Sequence, residues 1–145
     1  MAIGIHIISI LIAFMASFFI FFNKKGTQFH KAMGWIFVIG MSICAISSFW
    51  IPKFAHFSFI HILSIAVLCW LIIGIWSVRK RPPNLYKHAR AMGSVYIAIW
   101  IAGFGVIVRH YIYPGRIDYG GIASLITTFI AVPIMVKLIS KYKHK

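Results

Sequence analysis

Seven histidines stand in this chain of 145 residues, and their positions follow a pattern. His30 and His88 each come just before a long apolar run. His6, His61 and His110 fall near the opposite ends of three such runs, with His56 just outside and His144 in the C-terminal tail. A neutral imidazole ligates a metal through its unprotonated ring nitrogen. Two imidazoles from different helices at one depth, beside a slot of small and aromatic side chains, are what a b-type haem needs. His30 with His88 meets the depth condition at one end of the helices; His61 with His110, or with His6, meets it at the other. Two such sites would make a transmembrane electron wire. Lys31 and Arg90 adjoin the first pair and suit haem propionates. His30, His88, His61 and His110 are thus the candidate metal ligands, and Lys31 and Arg90 complete the candidate haem b residues. A helix-end histidine has a plainer use as a helix cap, a headgroup contact or a hydrogen-bonding partner of a neighbouring helix. The covalent haem signature Cys-x-x-Cys-His is absent, so any haem would be held non-covalently.

Other chemistries lack their residues. Asp118 is the single acidic side chain and no Glu occurs, so there is no carboxylate pair for acid–base work. The chain has no Gly-rich phosphate loop, no Ser-His-Asp set and no His-Glu-x-x-His motif. Proton-coupled transport usually employs buried carboxylates, which leaves Ser42, Ser47, Ser48, Thr127 and Thr128 as modest material for a small transporter. Cys44 and Cys69 fall near the middle of apolar runs, where a thiol is ordinarily a small core residue. The inventory points away from an enzyme. It leaves haem binding with electron transfer, or a non-catalytic accessory or assembly subunit of a membrane complex.

The elements that must position these residues are membrane spans. The chain is 61% hydrophobic and 11% charged, with a mean hydropathy of +0.92. A soluble domain is nearer a quarter charged and could not hide this much apolar surface. A net charge of +14 would suit nucleic acid on a soluble fold, but here the cations form short clusters between apolar runs. Crossing a ~30 Å hydrocarbon core takes about 20 apolar residues in a helix. Residues 3–22, 32–51, 57–77, 91–112 and 119–138 qualify. The expected fold is a single all-α transmembrane domain, 1–145, of five helices. Its runs are continuous rather than alternating, which excludes a barrel. Pro133 should kink or loosen the fifth helix.

Orientation follows from the cations. With alternating helices, twelve Lys and Arg residues fall on one side, and Lys53, Arg109 and Arg116 on the other. The positive-inside rule then puts the N-terminus outside and the C-terminus inside, with the basic face toward anionic lipids. Lys31-Ala32-Met33-Gly34 also matches Arg90-Ala91-Met92-Gly93. The match suggests a parallel repeat of helices two–three and four–five.

Gly26–Trp35, Ser58–Ser64, His88–Met92 and Pro114-Gly115-Arg116, taken in order, resemble a bacterial family of predicted multi-pass membrane proteins carrying a domain of unknown function. The resemblance covers helices two to four and implies a multi-pass protein of the bacterial plasma (inner) membrane, with no activity attached. It marks His30, His61, His88 and Arg116 as the motif residues. A more distant, architectural similarity is to b-type di-haem membrane cytochromes, an analogy of fold only. A homo-oligomer or a membrane partner subunit is the expected association.

Overall fold

A computed structural model describes residues 1–51, 59–114 and 117–140. Lys53, His56, Arg116 and His144 lie outside them. The described chain is all-α, with five helices long and apolar enough to cross a membrane. They are α1 (Ala2–Phe22), α2 (Gln28–Ser47), α3 (Phe59–Arg79), α4 (Leu85–Ile107) and α5 (Ile117–Ser140). A 3₁₀ turn, Ser48–Trp50, extends α2, and a π-helical turn, Val108–Ile112, extends α4. A helix satisfies its backbone internally, which hydrocarbon demands.

The second and fourth helices begin at Gln28 and Leu85, ahead of the apolar runs at Ala32 and Ala91. Caps explain the difference. Thr27 Oγ1 accepts from His30 N at 3.1 Å, and Asn84 Oδ1 accepts from Lys87 N at 2.7 Å. Each relieves one of the orphan N–H groups of a first turn and so carries the helix beyond its apolar stretch. At the end of α1, Asn23 Nδ2 donates to the Phe19 carbonyl at 2.9 Å, and Lys25 Nζ to those of Ile20 and Phe21. Lys80 Nζ, just past α3, lies 3.7 Å from the centroid of Trp76, and Lys87 Nζ lies 5.6 Å away. Such a cation–aromatic pair suits the interfacial zone. α5 continues through Pro133, whose missing N–H removes one bond of the helix ladder.

The helices form two compact units, Met1–Cys69 and Trp70–Lys145. In the first, α1 buries Ser9, Ala13, Ala16 and Ser17, a stripe of small residues at helical spacing. It packs on Phe37, Gly40, Met41 and Cys44 of α2. Gly40 sets the approach. A Cβ there would stand 3.0 Å from the Ser9 carbonyl oxygen and 3.1 Å from Ala13 Cβ.

In the second unit α4 and α5 meet at a pair of glycines. A Cβ on Gly105 would lie 3.0 Å from the Gly120 carbonyl oxygen, and the reverse distance is also 3.0 Å. Ser124 Oγ crosses the contact and donates to the Ile101 carbonyl at 2.9 Å. Without a hydrophobic drive between helices in lipid, this backbone-to-backbone packing is what associates them. The matched repeat residues serve different ends. Gly34 meets nothing that a Cβ would touch, whereas Gly93 is covered by Met135 and Ile139.

Gly40→Leu and Gly105→Leu are therefore expected to destabilise the protein by roughly 1–3 kcal/mol each, as overpacking does. Gly34→Ala should be near neutral. Thermal unfolding in mild detergent checks this: equal midpoints for Gly34→Ala and Gly40→Leu would contradict the packing described.

Candidate functional site: polar clusters at the helix ends

The first cluster joins the start of α1, the end of α2 and the start of α3. His6 is held from two sides. Its Nδ1 lies 2.9 Å from the Cys44 carbonyl oxygen and 3.2 Å from Ser47 Oγ. A carbonyl only accepts, so Nδ1 carries a proton, and in the neutral ring Nε2 keeps its lone pair. Cys44 Sγ packs 3.6 Å from the same Nδ1. Ser47 Oγ bonds back to the Cys44 carbonyl at 3.0 Å, and Ser9 Oγ to the His6 carbonyl, also at 3.0 Å.

One turn further on, the fully buried Ser48 reaches Ser64 Oγ of α3 at 2.8 Å. His61, only 5% exposed, sets its ring 5.1 Å from that of Phe49. Residues from three helices thus collect around the C-terminal end of α2, with buried hydroxyls sharing partners rather than facing lipid. Of the expected pairings, His6 and His61 are brought to this same end. His30 lies in the first turn of α2, at the other end, half-buried beside the exposed Lys31.

The second cluster surrounds His88 on the second turn of α4. Its Nδ1 donates to the Gly74 carbonyl of α3 at 2.9 Å, so in the neutral ring Nε2 is the nitrogen with the lone pair. Gly74 is buried, and a Cβ there would press on the flexible end of the Met92 side chain of α4. Ser77 Oγ donates to the same Gly74 carbonyl at 2.8 Å. Asn84 N donates to the Ser77 carbonyl at 2.9 Å and turns the chain from α3 into α4. Arg90 is exposed nearby in sequence.

His110 falls in the π-helical turn and is exposed, its ring 5.6 Å from that of Tyr111. Each of the pairings His30–His88 and His61–His110 takes one histidine from either unit. Among the described residues, no group of three or more His, Cys, Asp or Glu side chains is gathered that would hold a metal ion. Sequence spacing missed Gly74, Cys44 and Ser47 as partners of His88 and His6. A backbone carbonyl leaves no trace in residue type, but the small residue opposite each histidine is the signal that was there to be read.

Five apolar helices with polar groups turned onto one another define a multi-pass helical membrane protein, embedded in a lipid bilayer. The family model for the predicted membrane proteins DUF2306 matches residues 3–139, and the chain belongs to that family. No curated protein and no solved structure matches it significantly.

Cys44 is buried and Cys69 exposed. A lipid-soluble maleimide should accordingly modify Cys69 well ahead of Cys44 in the intact protein, as mass spectrometry of tryptic peptides would report. His6→Ala removes the neighbour of Cys44 and should speed its labelling while leaving Cys69 unchanged. Equal rates at both cysteines in the unsubstituted chain would contradict the first cluster.

Proposed function

We propose that the helix-end histidines ligate haem b and that the protein carries electrons across the plasma membrane of a bacterium. The observation that favours this reading is the bond from His88 Nδ1 to the Gly74 carbonyl. Histidines that ligate metals characteristically donate their other ring N–H to a carbonyl or carboxylate, which fixes the tautomer and the ring plane. His88 is prepared in that way, with Nε2 carrying the lone pair an axial ligand needs. His6 Nδ1 is engaged similarly by the Cys44 carbonyl, but its Nε2 lies 3.7 Å from Cys44 Sγ, so His88 is the better-prepared ligand.

A second imidazole from another helix is required, and the sequence offers His30 at the matching helix end. Lys31 and Arg90 supply the positive charge that propionates seek. Bound haem would supply a one-electron couple. The protein's part is to fix the ligand tautomer and to surround the site with apolar side chains that exclude water. The distribution of Lys and Arg supports an N-terminus outside and a C-terminus inside.

Protein purified in mild detergent from haem-replete cells is expected to show a Soret band that shifts and sharpens on addition of dithionite. His88→Ala should remove the absorbance of one site, whereas His144→Ala should leave the spectrum intact. A colourless preparation with no extractable haem would overturn the reading.

A further inference from the structure

A shallow groove runs between exposed apolar side chains of α1 and α2, and its chemistry differs from that of the polar clusters. Leu11, Ile12, Met15 and Phe19 of α1 stand across from Met33 and Ile36 of α2 and line a shallow, open depression of about 350 Å³. No polar side chain lines it, so nothing in it would hold an aqueous solute. From Leu11 to Phe19 the groove rises ~12 Å along the helix. That is within the depth of one leaflet, about half of the ~30 Å core. Its length and lining suit a single acyl chain entering from one face of the membrane.

The end of the groove nearest the α1–α2 loop is marked by Phe19, whose ring meets Phe29 edge-on at a centroid distance of 6.3 Å. Immediately beyond come Lys24 and Lys25, and Lys31 follows in the first turn of α2. Lys25 is spent on the last carbonyls of α1. Lys24 and Lys31 are exposed, and the N-terminus of α2, positive by its dipole, lies between them in sequence. No Asp or Glu occurs anywhere in residues 1–117, so no carboxylate of this unit can balance them. An apolar groove ending at uncompensated cations is complementary to a molecule with an acyl tail and an anionic head.

We propose that this groove is a binding site for an anionic phospholipid, one acyl chain lying between α1 and α2 and the phosphate at Lys24 and Lys31. The site stands on residues of the first unit alone and shares Lys31 with the proposed haem site, so Lys24→Gln and Met15→Trp test it apart from haem binding. It gives the basic loop a specific lipid ligand in place of a diffuse attraction.

Native mass spectrometry tests this on the full chain, released from nanodiscs containing phosphatidylglycerol and phosphatidylcholine of identical acyl chains in equal amounts. The protein is expected to retain one phosphatidylglycerol in preference to phosphatidylcholine. Lys24→Gln with Lys31→Gln should reduce that preference about thirtyfold, from the attraction typical of two cations at a lipid surface. Lys80→Gln with Lys87→Gln makes the same change in net charge and should leave the preference intact. Met15→Trp fills the groove and should lower retention although both lysines remain. Where the double variant loses helicity by circular dichroism, the single substitutions serve, each expected to remove about fivefold. Equal retention of both lipids, an equal loss in the two double variants, or undiminished retention in Met15→Trp would overturn the proposal.

Discussion

A polar atom inside hydrocarbon has no water to turn to, and the rest of this structure depends on how that demand is met. Backbone groups are met by helix formation. Side-chain hydroxyls mostly turn back on their own helices: Ser48 to the Ala45 carbonyl at 2.7 Å, Thr127 to that of Ala123 and Thr128 to that of Ser124, both at 2.8 Å. Two of the histidines look across to another helix instead. His6 takes a carbonyl of α2 and His88 a carbonyl of α3. Each bond reaches a helix carbonyl that a nearby serine hydroxyl also uses, Ser47 at Cys44 and Ser77 at Gly74.

The same demand explains the near absence of acid. A carboxylate in the membrane would need a cation beside it, and the cations of this chain collect instead at helix ends and loops, where water and headgroups solvate them. Bonds between helices then need close approach, and small residues provide it. Gly74 admits Met92, Gly40 admits Ser9 and Ala13, and Gly105 with Gly120 lets α4 and α5 touch backbone to backbone. Polar satisfaction and tight packing are therefore one design seen twice. The residues that would prepare a ligand are those that hold the helices together.

Much of this was legible in the sequence. Five apolar runs of membrane length, three of them free of charge and two with a single cation near one end, marked five helices, because hydrocarbon leaves the chain few alternatives. The helix starts at Gln28 and Leu85 were less legible, since hydropathy measures the apolar core and not the capped turn that projects beyond it. Thr27 and Asn84 were the readable signals. The π-helical turn that holds Arg109 and His110 has no signature in residue type, because an inserted residue changes hydrogen bonding and not composition. The histidines were conspicuous, but their partners were not. Gly74 contributes a carbonyl, which any residue has, and only the packing of Met92 shows why glycine stands there. Sequence likewise grouped Gly34 with Gly93, although only the second is pressed by a neighbouring helix.

The central claim is that backbone carbonyls fix the ring tautomer of the membrane histidines. It is tested most directly by nitrogen-15 magnetic resonance of histidine-labelled protein in nanodiscs, with His6→Gln and His88→Gln used for assignment. The bonds to Cys44 and Gly74 predict a protonated Nδ1 at both positions, and hence the Nδ1–H tautomer wherever the ring is neutral. A protonated Nε2 with a bare Nδ1 at His88 would contradict the account, because Nδ1 would then have no proton to donate to the Gly74 carbonyl.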